Sequence, residues 1–115
     1  MICAAFDTTT SALTNILYYL GTHTEWQDRV RNEINQIGKE DLTYEDASSM
    51  LQTEYVFNET MRFYPSVMIL NRRTTKDIEI AGYEIPKNTI LMLSPAFTHR
   101  MTEWWSNPET HLILF

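Results

Sequence analysis

The sequence has few of the residues that mark several common classes of protein. Its 115 residues include one cysteine, Cys3, which excludes an internal disulfide framework and a zinc site built from several cysteines. With three glycines it has no glycine-rich phosphate-binding loop. No apolar run is long enough to span a bilayer, and the first residues lack the basic start of a secretory signal. We therefore expect no membrane span; the location is unknown, and cytoplasmic if the chain is expressed as it stands.

The chain is also short of basic residues. The sequence has nine Lys and Arg residues in total and 15 Asp and Glu residues, which gives a formal net charge of -6. A nucleic acid is therefore not expected as a partner, because binding to phosphates needs an excess of positive charge. Apolar residues make up 43% and charged residues 21%, the balance of a globular chain. The length suits one small domain or a part of a larger one.

The first two thirds of the sequence have helical periodicity. Apolar residues from Ile2 to Leu20 recur at helical spacing, and Gly21 marks the end of that helix. Thr24 with Gln27 fits a capping box for a second helix that Gly38 closes. Two more helices are predicted, a short one opened by residues 43–46 and a longer one over residues 52–64, stopped by Pro65.

After Pro65 the pattern is that of β-structure. Residues 71–75 are β-branched and basic, residues 78–85 alternate about Gly82 as in a hairpin, and residues 89–93 read as a buried strand. Ser94-Pro95 opens a short helical segment. The fold class is mainly α with a small antiparallel β portion. Because these strands are too few for a stable sheet, we expect them to belong to a larger one.

An acid and an alcohol stand side by side in the first helix, within Ala4-Ala5-Phe6-Asp7-Thr8-Thr9. Thr8 can donate a hydrogen bond to the Ala4 carbonyl, which tends to bend a helix. The small side chains at positions 4 and 5 leave room for something to approach the backbone. Asp7 and Thr8 could together pass protons into a pocket. An ordinary polar patch, or a helix start capped by Asp7, explains the same residues.

Glu59 and Arg62 form the second motif. Their separation of three residues puts both charges on one face of the fourth helix. An exposed pair of this kind contributes only about 0.5 kcal/mol. A buried pair is a rigid anchor, because the planar guanidinium matches a carboxylate. Taken alone, the motif is also explained by an ordinary surface ion pair.

The order of these motifs resembles the cytochrome P450 superfamily of haem-thiolate monooxygenases over residues 2–109. The acid–alcohol pair is followed by Glu-x-x-Arg running into Phe-Tyr-Pro, a hairpin that ends in Gly-Tyr-x-Ile-Pro-Lys, a strand, and His99-Arg100. The resemblance implies that residues 1–115 are a partial cytochrome P450 domain, an internal fragment running from the distal helix to just before the cysteine loop.

The resemblance implies a role for each motif. Asp7 and Thr8 steer protons to dioxygen at the haem so that the O–O bond breaks heterolytically. Glu59 and Arg62 form a buried structural pair that locks the core under the haem; their usual third partner, a downstream arginine, is not in this sequence. Ala5 stands where the family usually has glycine, which narrows the oxygen pocket slightly.

The resemblance also implies contacts with cofactor and substrate. Haem contacts fall on Ala4, Ala5 and Arg72, the last pairing with a propionate. The neighbouring Arg73 is the other candidate for this contact with the propionate. Both arginines are also explained by a basic strand that faces solvent. The substrate pocket is expected to be apolar, although core packing explains the same residues: Phe6, Ser66, Val67, Met68 and Ile69.

The cysteine loop that supplies the family's iron ligand does not appear. Residues from His111 onward do not match the pattern expected there, and Cys3 lies in the distal helix, on the wrong side of the haem. We therefore predict no metal ligand in this chain and expect the isolated chain to be inactive.

By family, the reaction inserts one oxygen atom from O2 into a small apolar organic substrate. Electrons are expected from a separate redox partner, a ferredoxin or a flavoprotein reductase. The alternative is a non-catalytic acidic helical module that binds a partner protein through its apolar face.

Overall fold

The computed structural model describes the backbone of residues 2–110 and the side chains of residues 4–110. The helices are α1 (Ile2–Thr22), α2 (Thr24–Ile37), α3 (Tyr44–Ser48), α4 (Leu51–Phe63) and α5 (Pro95–Thr98). The strands are β1 (Leu70–Arg73), β2 (Ile78–Ile80), β3 (Tyr83–Ile85) and β4 (Ile90–Leu93). The predicted fold class, mainly α with a small antiparallel β portion, is confirmed.

The boundary between α1 and α2 differs from the prediction. The first helix continues through Gly21 to Thr22, whose hydroxyl donates to the Tyr18 carbonyl at 3.0 Å. His23 is the N-cap of α2, and its carbonyl accepts from the backbone N–H groups of Trp26 and Gln27. The predicted capping box at Thr24 is therefore wrong: Thr24 already lies inside the helix, and Gln27 accepts instead from Arg31.

The predicted start of the third helix is confirmed. The Thr43 hydroxyl accepts from the Asp46 N–H, and the Asp46 carboxylate accepts from the Thr43 N–H, so both halves of a capping box are present. Lys39 pairs with the same carboxylate at 2.6 Å. The hydrogen bond from Lys39, with those from Thr43, lowers the pKa of Asp46 to about 2.

The helical core lies where α1, α2 and α4 pack together. Its buried apolar side chains come from two of these helices: Tyr19 from α1, and Val56 and Phe63 from α4. Tyr19 also stacks on His23, with ring centroids 4.3 Å apart. This packing fixes α4, which carries the predicted ion pair, against the helix that carries Asp7 and Thr8.

The four strands form two separate antiparallel pairs. Strand β1 pairs with β4, with Leu70 opposite Leu93 and Arg73 opposite Ile90. Strands β2 and β3 form the predicted hairpin. Its turn residues, Ala81 and Gly82, both have positive φ, as a type I′ turn requires.

Strand β4 is not buried, contrary to the prediction. Ile90, Met92 and Leu93 are 57%, 70% and 52% exposed, and only Leu91 is half-buried. The physical reason is that β1 is the only strand paired with β4 among the described residues, and no second layer covers the pair there. An apolar sequence alone does not show whether a covering layer belongs to the same chain.

None of the described helices is both long enough and apolar enough to cross a membrane.

Candidate functional site

Helix α4 brings Glu59 and Arg62 together as a buried, two-point ion pair. Arg62 Nε donates to Glu59 Oε2 at 2.8 Å, and Arg62 Nη2 donates to Oε1 at 2.8 Å. The two residues are 5% and 3% exposed. Because the pair is buried and held by two parallel hydrogen bonds, it is a rigid anchor. Of the two alternatives that the sequence left open, the surface ion pair is therefore excluded.

The remaining N–H groups of Arg62 reach main-chain carbonyls far along the chain. They donate to the carbonyls of His99 at 3.1 Å, Pro108 at 2.9 Å and Thr110 at 3.0 Å. The guanidinium also lies 4.2 Å from the ring centroid of Phe63 and 5.0 Å from that of Trp105. Arg62 therefore ties the segment after α5 to the core, using backbone carbonyls as partners.

The second candidate group lies on α1. The Thr8 hydroxyl donates to the Ala4 carbonyl at 2.8 Å, as predicted, and lies 3.5 Å from the Ala5 carbonyl. Thr8 is half-buried, whereas Asp7, Ala4 and Ala5 are exposed. An exposed carboxylate thus stands next to a half-buried hydroxyl, and the role of the two in proton transfer stays a prediction.

The residues predicted to line a substrate pocket are accessible in this chain. Phe6, Met68 and Ile69 are 67%, 64% and 50% exposed, and Val67 is also exposed. Ser66 is half-buried, with its hydroxyl 3.8 Å from the Met61 sulfur. Apolar side chains left on the surface are available to an apolar ligand or to further protein structure.

Arg72 and Arg73 stand next to each other on β1, and both are exposed. Arg72 lies opposite Leu91 and donates through Nη1 to the Asn71 carbonyl at 2.9 Å. Neither guanidinium is held by a carboxylate in the part of the chain that the structure describes. The choice between them as partner of a propionate stays a prediction.

Two polar contacts between helices were not predicted from the sequence. Asn15 of α1 donates to the Tyr64 carbonyl at the end of α4, at 3.2 Å. Glu33 of α2 accepts three hydrogen bonds from the start of α4. Neither residue belongs to a short motif, so only the packing of the helices reveals them.

Tyr19 is a buried phenol of α1 whose ionisation is shifted mainly by burial and secondarily by the Glu59–Arg62 pair. Burial of the phenol, with the negative charge of Glu59 adding to the effect and Arg62 opposing it, raises the pKa of Tyr19 to about 12. Tyr19 is 1% exposed. The α1 phenol and the α4 ion pair are therefore close enough to influence each other electrostatically.

The side chains of residues 4–110 include no group of three His, Cys, Asp or Glu placed to hold a metal ion. His111, whose segment departs from the expected pattern, lies outside the described residues. An open cavity on the β2–β3 hairpin includes none of the predicted site residues; it is lined by Asp77, Ile78, Glu79, Glu84, Ile85 and Pro86.

Comparison with known proteins decides the family. The profile described as Cytochrome P450 matches residues 1–113. The chain belongs to the cytochrome P450 family. It is 36% identical over 110 residues to the putative cytochrome P450 136 of Mycobacterium tuberculosis (strain CDC 1551 / Oshkosh), covering 96% of this chain and 22% of that protein.

Mammalian cytochromes P450 are similar to the same extent. Human cytochrome P450 3A7 is 36% identical over 113 residues, covering 96% of this chain and 22% of that protein. Dog cytochrome P450 3A12 is 39% identical over 111 residues, covering 94% and 22%. The chain thus spans about a fifth of the length of these relatives. Membership of the family supports a haem-thiolate monooxygenase in general terms.

Proposed function

We propose that this chain is the part of a haem-thiolate monooxygenase that delivers protons to dioxygen and anchors the core beneath the haem. The full-length enzyme inserts one oxygen atom from O2 into a small apolar organic substrate. The main observation that supports this proposal is the buried Glu59–Arg62 pair. Its guanidinium also donates hydrogen bonds to three main-chain carbonyls that are distant in sequence. Membership of the cytochrome P450 family supports it.

The residues present fit one face and the rim of a haem. Ala4 and Ala5 are small and exposed, so a flat ring can approach α1 at this point. Arg72 offers an exposed guanidinium, which suits the carboxylate of a propionate. The haem, when bound, supplies the activation of dioxygen. Its thiolate ligand is not provided by residues 4–110, since the only cysteine of the chain is Cys3.

Asp7 and Thr8 have separate tasks in this proposal. The Asp7 carboxylate is exposed and takes up a proton from water. The Thr8 hydroxyl donates its only proton to the Ala4 carbonyl at rest. To relay a proton, its oxygen accepts one from the solvent side and releases its own, and the bond to the Ala4 carbonyl breaks as that proton leaves. Before the transfer this bond fixes the position of the hydroxyl oxygen, so less freedom is lost when the group acts.

An apolar substrate is favoured by the exposed apolar side chains of Phe6, Val67, Met68 and Ile69. Such side chains remove an apolar ligand from water without leaving a polar group unpaired. Electrons come from a separate ferredoxin or flavoprotein reductase. We assign no membrane or nucleic-acid partner to this chain.

Replacement of Thr8 in the full-length enzyme tests the proposal. Thr8→Val keeps the shape of the side chain but lacks the hydroxyl, whereas Thr8→Ser keeps the hydroxyl. We expect product formation to fall about tenfold or more in Thr8→Val and to be largely retained in Thr8→Ser. Electrons and protons that reach dioxygen without forming product leave as hydrogen peroxide, so the ratio of peroxide to product rises.

Thr10→Ala is the matched control, because Thr10 is an exposed threonine of the same helix. It should leave both haem content and the peroxide-to-product ratio unchanged. If Thr8→Val stays as productive as the unmodified enzyme, Thr8 is a structural residue and the proposed proton path is wrong.

A further inference from the structure

The N-terminus of α4 lacks a cap of its own. Met50 stands at the N-cap position and makes no side-chain hydrogen bond to the helix. A methionine sulfur is only a weak acceptor, so it cannot replace the Ser, Thr, Asp or Asn usual at this position. The first N–H groups of α4 therefore need an acceptor from elsewhere.

Glu33 supplies that acceptor from the neighbouring helix. Its Oε1 accepts from the Gln52 N–H at 2.7 Å, and its Oε2 accepts from the Thr53 N–H at 3.0 Å. The Thr53 hydroxyl donates to Oε2 as well, at 2.9 Å. These are the second and third residues of α4, the same two N–H groups that a local N-cap would satisfy.

The carboxylate also matches the charge at this end of the helix. A negative group is favoured at a helix N-terminus, where the N–H dipoles point outward. The other end of α4 is held independently, by the hydrogen bonds of Arg62 and by the Asn15 side chain on the Tyr64 carbonyl. Hydrogen bonds therefore hold both ends of α4: the first turn is held by α2, and the last turn by α1 and by the segment after α5.

We propose that Glu33 is a positioning residue that caps α4 from α2 and thereby sets the place of the Glu59–Arg62 pair. Thr53, which Glu33 holds, lies nine residues before Arg62, about 14 Å along a rigid helix, so a shift of the first turn moves the pair. The importance of the pair for haem incorporation rests on the proposed function, but its position can be measured without reference to activity.

The experiment compares Glu33→Gln and Glu33→Ala in the full-length haem protein by nuclear magnetic resonance and hydrogen exchange. It follows the backbone amides of Gln52 and Thr53 and the Nε–H of Arg62, each relative to the backbone amide of Leu17 in α1. In Glu33→Ala we expect both amides to exchange about tenfold faster or more, because two bonds to a charged acceptor are lost. The Arg62 Nε–H should exchange faster too.

Glu33→Gln keeps one acceptor oxygen and replaces the other by an NH2 donor. At least one of the two amides should therefore exchange about tenfold faster, with a smaller change at Arg62. If Glu33→Ala does not fold, the exchange rates of the same three groups in Glu33→Gln test the proposal. Glu25→Gln, on the exposed face of α2 and paired with Arg29, is the control and should leave all three signals unchanged.

Unchanged exchange at both amides in Glu33→Gln overturns the cap. Faster exchange at the amides with an unchanged Arg62 signal overturns the positioning role. A full-length protein that shows no thiolate-haem absorbance in any variant, the unmodified sequence included, instead refutes the proposed function, while these exchange rates still decide the role of Glu33.

Discussion

Asn15 on α1 donates its side-chain amide to the carbonyl of Tyr64 at the end of α4, at 3.2 Å. Asn15 lies seven residues after Thr8, two turns further along the same face of the helix. Tyr64 lies two residues before Ser66, where the predicted substrate segment begins. One hydrogen bond therefore connects the helix of the proposed proton path to the segment proposed to line the pocket.

We expect Asn15→Ala to weaken substrate binding more than it weakens the fold. The lost hydrogen bond costs about 1 kcal/mol of stability, which leaves haem content near normal. The freed segment should bind an apolar substrate less tightly, because a mobile wall has to be ordered on binding. Substrate titration by the haem absorbance and thermal unfolding measure the two effects.

Asn58→Ala is the matched control for that prediction, since Asn58 is an exposed asparagine on α4. Its substrate affinity should equal that of the unmodified protein. Equal affinities in all three proteins would show that the Asn15–Tyr64 bond is only a structural contact.

Glu59→Ala should prevent haem incorporation in the full-length protein. The substitution leaves Arg62 charged and buried, and breaking a buried pair by removing one partner costs about 3–5 kcal/mol. That amount is comparable to the whole stability of many domains. Absorbance of the purified protein gives the haem content. Glu54→Ala, an exposed site on the same helix, should keep it, and a normal haem content in Glu59→Ala would contradict the anchor role.

The sequence was sufficient to predict the elements whose signals are local. The start of α3 at residues 43–46, the end of α2 at Gly38 and the turn at Gly82 all depend on residues close together in the chain. The i, i+3 spacing of Glu59 and Arg62 also predicted their pairing, and the resemblance to cytochromes P450 predicted that the pair is buried.

The features that were missed depend on how the elements meet, either along the chain or in space. Thr24 has the right neighbours for a cap, but α1 runs to Thr22 and His23 is the N-cap of α2, so Thr24 already lies inside the second helix. The cap that Glu33 provides for α4 joins residues 19 and 20 positions apart, which no local pattern encodes. Strand β4 has the composition of a buried strand, and its exposure follows from the absence of a covering layer among the described residues.

Tyr19 should ionise at a higher pH than an ordinary tyrosine does. Burial raises its pKa to about 12, above the value near 10 of an unfolded chain. Its contribution to stability is therefore fully present below pH 10 and is lost as the pH rises from about 10 to about 12. An alkaline absorbance titration is expected to contain a tyrosine ionisation step near pH 12 that belongs to Tyr19. Tyr19→Phe should remove that step, and its persistence in this variant would assign it elsewhere.

The 115-residue chain, mixed with haem on its own, should not form a thiolate-ligated complex. Its single cysteine, Cys3, belongs to α1, the helix that the resemblance places on the distal side of the haem. The chain also holds three histidines, and a neutral imidazole can bind haem iron weakly. We therefore expect the reduced carbon-monoxide spectrum to show either free haem or imidazole ligation.

Cys3→Ser is the control for this haem-binding test, because it separates ligation by the Cys3 thiolate from every other kind of haem ligation. Because it removes the only thiol, its spectrum should be identical to that of the unmodified chain. A Soret band at the position of thiolate ligation that disappears in Cys3→Ser would show that Cys3 reaches the iron. The distal placement of α1 would then be wrong, and with it the roles assigned to Asp7 and Thr8, since a helix cannot supply the thiolate and face the dioxygen on the opposite side of the same ring.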